Sequence, residues 1–256
     1  MSEEKITLSR RVLGRLKIWG THFFLSLVGS LGYVCLCFPL NFTRVLGKEN
    51  VPRQSRNVLF VSNHLTMYDS VLIAVCAYYP AVFIRPSLPP YNFAAEENFF
   101  STWYVRFLFR LLRTVPVKRG RRDPILMRRY ISFLEHNNIL IFYQGGRSND
   151  LKKIKSGAAF VIAEAPEAPV VIPVYHQGME RIFRRGGPGT RGLLRWVPLS
   201  FFRRPVIFFG EPLDFSDLRR IPDKRERVET INERIVARIE KMKKGIEEED
   251  SSRRKG

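Results

Sequence analysis

The sequence predicts an α/β fold, a central mixed sheet flanked by helices, preceded by an apolar N-terminal segment that anchors the chain on a membrane. Three observations carry this. Short β-rich runs alternate with longer helical patterns, which layers helices around a sheet. In 256 residues, 45% hydrophobic and 12% aromatic content supplies a real core and excludes a disordered chain. No residue between Lys17 and Arg44 is formally charged, a stretch longer than the roughly 20 residues a membrane helix needs.

In chain order, the basic residues Lys5, Arg10, Arg11, Arg15 and Lys17 come first and place the N-terminus on the cytosolic side. The apolar segment that follows is too long for a signal peptide and lacks a small-residue cleavage site. It is either a spanning helix or, broken by Gly29, Gly32 and Pro39, a shallow hairpin within one leaflet; a buried core helix is the bland alternative. Strands are expected at 57–62, 81–85, 114–117, 139–143, 170–175 and 206–209. After Pro222, Val228, Ile231, Ile235, Ile239 and Met242 step by three and four, one apolar face on a charged helix that ends in a frayed tail. The domain plan is an anchor over 1–45, a catalytic domain over 46–222, and a C-terminal helix and tail over 223–256.

A net charge of +19 favours polyanionic partners: nucleic acid, anionic lipid or phosphorylated small molecules. Three cysteines in apolar surroundings argue against a disulfide framework or a metal site. The stretch from Arg181 to Arg204 holds seven arginines and no carboxylate, interleaved with Phe183, Trp196, Phe201 and Phe202. Nucleic acid or anionic lipid would fit it, and lipid alone also explains the apolar N-terminal segment. The literal G-x-G-x-x-G at 187–192 follows arginines rather than a buried strand and contains a proline, so dinucleotide binding is discounted.

Two short blocks bear chemistry. VSNHLTMYDS puts His64 and Asp69 at the end of a strand. If Asp69 lies in the first turn of the next helix, its carboxylate reaches back to one ring nitrogen and leaves the other as a base. The same spacing also suits helix capping by Asn63 or Thr66. IFYQGGRSND runs a strand into Gly145 and Gly146, then Arg147, a phosphate cradle or an ordinary turn with a surface arginine. There is no G-x-S-x-G nucleophile elbow, so the base would act on a substrate hydroxyl.

Together these blocks resemble the glycerolipid acyltransferase superfamily, with its Asn-His, four residues, Asp block and its F-P-E-G-T-R-S block. Here they read Asn63-His64 to Asp69 and Phe142-Tyr143-Gln144-Gly145-Gly146-Arg147-Ser148, with Gln144 where the family usually has glutamate. Val115-Pro116-Val117-Lys118-Arg119-Gly120 resembles the second block and Val171-Ile172-Pro173-Val174 the fourth. Tyr175-His176-Gln177-Gly178-Met179 looks most like the tafazzin branch.

The resemblance implies acyl transfer from acyl-CoA or an acyl carrier protein to a lysophospholipid or 1-acylglycerol-3-phosphate, with no metal or organic cofactor. It also implies the roles. His64 is the general base, Asp69 orients it, and Arg119, Arg147 and the Gly145-Gly146 backbone hold the acceptor phosphate, with Asn63 and Ser148 in the substrate site. The remaining expected partner is a membrane with anionic headgroups, met from its cytoplasmic face, and not nucleic acid. A tafazzin-like transacylase and a lipid-binding homologue without turnover are the alternatives.

Overall fold

A computed structural model describes residues 2–96, 103–118, 124–183 and 200–255. The helices are α1 (Ser2–Leu36), α2 (Asp69–Tyr78), α3 (Trp103–Leu111), α4 (Pro124–His136), α5 (Gly157–Glu164), α6 (Met179–Ile182) and α7 (Lys224–Lys255). The strands are β1 (Arg44–Leu46), β2 (Val58–Ser62), β3 (Tyr91–Ala95), β4 (Thr114–Val117), β5 (Ile139–Phe142), β6 (Val170–Gln177) and β7 (Val206–Phe209). They form one seven-stranded sheet in the order β1-β7-β6-β2-β5-β3-β4. It is mixed, as expected: β6 and β7 are antiparallel, and the other described pairs are parallel.

Alternation along β2 builds the layers. Val58 and Phe60 point to one face, where they pack with Leu72, Ile73, Val75 and Cys76 of α2 and Leu36 of α1. Leu59 and Val61 point to the other, against Ala158 and Ile162 of α5 and Ile231, Ile235 and Ile239 of α7. All five β2 residues are buried, as a central strand covered on both faces requires. The C-terminal apolar stripe is therefore core, and the tail is helical rather than frayed. Ser251 and Ser252 donate to the carbonyls of Glu247 and Glu248, and Arg253 pairs with Glu249, so the last turns are tied to the helix.

Three expectations change. The run at 81–85 is a 3-10 turn over Ala81–Phe83, not a strand, and Ile84 is 85% exposed. Val82 is buried while Phe83 and Ile84 face outward beside α1, a division that the spacing does not reveal. β3 was not anticipated, since it opens after Pro89-Pro90 and carries Asn92, and β1 is only three residues long. The planned boundary at residue 45 falls inside β1, and Leu36 and Cys37 belong to the main core.

α1 has two faces. Leu25, Gly29, Gly32 and Leu36 turn inward, and a Cβ on Gly32 would meet Val75 Cγ2 at 3.0 Å and Val71 Cγ1 at 3.4 Å, so a glycine lets α1 approach α2 closely. Outward, Trp19, Phe23, Leu27, Leu31 and Val34 form an exposed apolar stripe at helical spacing. Trp19–Leu36 is long and apolar enough to cross a membrane.

Candidate active site

The site lies at the C-terminal ends of β2, β5 and β6, where Ser62 stands level with both Phe142 and Val174. The chain leaves β2 through Asn63 and His64 and turns into α2, whose first residue is Asp69. A carboxylate there also complements the positive end of the helix dipole. The turn is held by Asp69 itself: Oδ2 accepts from the N–H groups of Leu65 (2.6 Å) and Thr66 (2.8 Å), and Oδ1 from the Thr66 hydroxyl (2.6 Å).

Oδ2 also accepts from His64 Nδ1 at 2.8 Å. A carboxylate can only accept, so Nδ1 carries the proton and Nε2 is left as the ring's open nitrogen. The imidazole stacks on Phe142, 4.0 Å between centroids and 12° between planes, which fixes its tilt. Asp69 is fully buried. Burial would raise its carboxyl, but the charges and hydrogen bonds of His176, His64 and Thr66 outweigh this and hold it below the ordinary carboxylate range. The spacing thus serves both sequence readings: Asp69 organises the helix start and orients His64.

Gln144 has a structural use for its amide. It is fully buried; Oε1 accepts from the His64 N–H at 2.6 Å, and Nε2 donates to the carbonyls of Ser148 (3.1 Å) and Asp150 (2.6 Å). The Ser148 N–H closes the circuit on the His64 carbonyl at 2.8 Å. A glutamate in the same pose has no donors for those two carbonyls, so glutamine is the residue this loop demands.

The other expected site residues divide. Gly145, at φ +65, is a glycine by necessity: a Cβ would lie 2.6 Å from Lys155 Cγ. Its N–H donates to the Phe142 carbonyl, so it is not available to a phosphate. Gly146 has open space around it and lines the cavity with Arg147, which is exposed and has no carboxylate partner among the described residues. Ser148 accepts from the Asp150 N–H through its hydroxyl. Asn63 sits behind the site: it is buried and its amide exchanges two hydrogen bonds with the backbone of His176, at 2.9 and 3.0 Å. Arg119 lies outside the described residues.

His176 is a site residue that the sequence offered only as part of a branch motif. Fully buried on β6, its Nε2–H donates to the Asn63 carbonyl at 3.1 Å and lies 3.5 Å from Asp69 Oδ2. Only the β2–β6 register brings it there, and that register is invisible to local spacing.

His64, Met67, Tyr68, Gly146 and Arg147 share a mainly apolar cavity of about 650 Å³ whose far walls are Leu25, Gly32 and Leu36 of α1 and Pro90, Asn92 and Ala94 around β3. That volume falls among those of small-molecule sites, about 300–1,000 Å³.

An imidazole on a carboxylate, beside an arginine and an apolar cavity, is the arrangement that the acyl-transfer blocks imply, and the family itself follows from comparison with known proteins: the family model described as Acyltransferase matches residues 42–177. The chain belongs to the acyltransferase family. Similar curated relatives are a 1-acyl-sn-glycerol-3-phosphate acyltransferase of Streptococcus pneumoniae, 26% identical over 76% of this chain and 63% of that protein, and the tafazzin of Drosophila melanogaster, 26% identical over 79% and 55%. An N-acylphosphatidylethanolamine synthase of Arabidopsis thaliana is 27% identical over 62% and 56%. The chain thus spans between 55% and 63% of the length of these relatives. The crystal structure of the 1-acyl-sn-glycerophosphate acyltransferase of Thermotoga maritima shares the fold, with a TM-score of 0.59 at 22% identity over 94% of this chain and 88% of that one. In this member of the family, the His64–Asp69 pair and the apolar cavity meet at one imidazole.

Proposed function

We propose that the chain transfers a fatty acyl group from a thioester donor, acyl-CoA or an acyl carrier protein, to a hydroxyl of a lysophospholipid or 1-acylglycerol-3-phosphate. The observation that carries this is the Asp69–His64 pair, 2.8 Å apart, with the ring's open nitrogen beside a cavity shaped for apolar chains. His64 Nε2 takes the hydroxyl proton as the oxygen attacks the acyl carbonyl. The tetrahedral intermediate collapses, the ester forms, and the proton passes to the departing thiolate sulfur. Asp69 stabilises the imidazolium between the two transfers. Arg147 and the Gly146 N–H hold the acceptor's phosphate, and Arg119 follows the motif into the same role.

The protein works on a membrane surface. The inner face of α1 walls the cavity while its outer stripe is apolar, so a lipid chain passes from the bilayer to His64 without crossing water. Packing of Leu25 to Leu36 on the domain favours α1 lying in one leaflet over spanning both, on the cytoplasmic face where thioester donors are found.

The test is transfer of a labelled acyl group to a panel of lyso-lipids, with phospholipids included as donors because of the tafazzin likeness. His64→Ala should lose about 10²–10⁴ in rate while keeping its fold, since the side chain lies at the cavity edge. Activity within threefold of the parent protein would sink the mechanism.

A further inference from the structure

The exposed stripe of α1 does not stop with the helix. Four residues on from Val34 comes Phe38, 57% exposed, and four further Phe42, 43% exposed. Beside them, in the segment leading to β7, stand Phe201 and Phe202, 43% and 73% exposed. Two segments far apart in sequence are laced together here: Phe202 N–H donates to the Leu40 carbonyl (2.7 Å), Phe42 N–H to the Arg203 carbonyl (2.9 Å), and Arg203 N–H to Asn41 Oδ1 (2.8 Å). Asn41, fully buried, anchors the arrangement by donating to the Cys35 carbonyl at 2.6 Å.

Sheet register shows where this corner lies. Arg44 stands level with Val206 and Val206 with Gln177, one residue beyond the His176 that pairs with Asn63. The corner therefore occupies the same edge of the sheet as His64. Phe202 has φ +59, a conformation costly for an aromatic residue, yet its ring is turned to solvent. Backbone strain that gains no burial in the free protein points to a use outside it.

Charge narrows the occupant. Arg203 and Arg204 are exposed with no carboxylate partner among the described residues, and the sequence from Arg181 to Gly210 contains neither aspartate nor glutamate. Glu249 and Asp250, which reach β1 from α7, are paired with Arg44 at 3.5 and 3.0 Å. Exposed phenylalanine rings, which bury at the boundary of headgroups and acyl chains, beside arginines with no carboxylate partner among the described residues suit an anionic bilayer, where each basic residue near the surface adds attraction that salt screens.

We propose that Phe38, Phe42, Phe201 and Phe202, with Arg203 and Arg204, form a docking surface for an anionic lipid bilayer that carries the α1 stripe round to the catalytic edge and holds the mouth of the His64 cavity at headgroup level. The inference rests on the membrane-surface reading above and fixes which edge of the domain meets the lipid.

The test uses the full chain and two variants. Phe202→Gly removes the ring, and glycine accepts the left-handed backbone, so the fold is kept. Arg203→Gln/Arg204→Gln removes two exposed charges. Sedimentation with phosphatidylcholine vesicles, with and without phosphatidylglycerol, reads binding without requiring turnover. Phe202→Gly should bind about tenfold more weakly to both kinds of vesicle; the arginine variant should lose only the gain from phosphatidylglycerol at low salt. On acceptors, both variants should be slower with vesicle-embedded lipid and unchanged with a short-chain acceptor dissolved as monomer. Binding equal to the parent's in both variants overturns the proposal, leaving α1 as sufficient. So does a Phe202→Gly protein that binds vesicles normally but changes its sedimentation as an oligomer, which would make the corner a protein interface. A parent protein that binds vesicles through this corner yet transfers no acyl group would defeat the enzyme reading and leave this one standing.

Discussion

At the scale of single residues, the site is a set of groups each committed to one hydrogen-bonding role. Gln144 shows it best. Gln144→Glu takes away the donors to the Ser148 and Asp150 carbonyls and sets a carboxylate against them. Both carbonyls are only partly buried, so losing their donors costs less than the roughly 1–3 kcal/mol of a fully buried acceptor; the variant should still be less stable in urea and slower in transfer, and should recover partly at low pH, where a protonated glutamate again has one donor. An unchanged unfolding midpoint would show that the loop has another way to close. His176 acts through its neighbours. His176→Phe keeps a ring but leaves Asn63 O and Asp69 Oδ2 without that N–H, so kcat should fall about tenfold with little change in KM, and His176→Gln, which can donate again, should recover much of it. Equal kcat in all three proteins would reduce His176 to packing.

At the scale of elements, legibility follows the range of the interaction. The His64–Asp69 pair was readable because five residues of local chain bring it together. β2, β4, β5, β6 and β7 were readable because apolar runs of β-branched and aromatic residues bounded by breakers have little else to be. The turn at Ala81–Phe83 does not show in the sequence, because an apolar run that is half exposed and one that is wholly buried in a core look alike. His176, and the retreat of Asn63 to a place behind the site, depend on which strand lies beside β2, and no short window of sequence holds that. α1 shows both kinds: its hydropathy was plain, its division into a packed and an exposed face was not. That division makes an element-scale prediction. Replacing Trp19, Phe23 and Leu27 by aspartate should leave the domain folded, since these side chains face outward, and release the protein from neutral vesicles at high salt. Continued binding under those conditions would place the anchor elsewhere. Removing residues 1–45 is the poorer experiment, because it deletes Leu36 and Cys37 from the core and most of β1.

For the whole molecule, the question is sidedness. α1 packs its inner face along α2 and walls the cavity, so the segment before Trp19 and the catalytic domain should meet the same side of the bilayer. With a tag at the N-terminus and protein bound to the outside of sealed vesicles, added protease should remove the tag and nick the domain alike. A tag that survives while the domain is cut would mean that α1 spans. Charge acts at this scale too: at +19, association with anionic vesicles should weaken as salt rises, while the apolar part persists.

The four-bond circuit linking His64 to Gln144, Ser148 and Asp150 has one more consequence. Both peptide groups of His64 are bonded to the loop that carries Arg147, through the Gln144 amide on one side and the Ser148 N–H on the other. His64 and the backbone that carries Arg147 are therefore tied to one bracket, and under the acyl transfer proposed above the span between them would work as a caliper. A glycerol-based acceptor of the proposed kind would then be gauged by how many bonds separate its hydroxyl from its phosphate, whatever the length of the fatty chain lying in the cavity. On that proposal, head and tail of the substrate would be measured by different parts of the fold, the head by the loop that four hydrogen bonds hold and the tail by the packing of α1, so that changing one preference should leave the other in place.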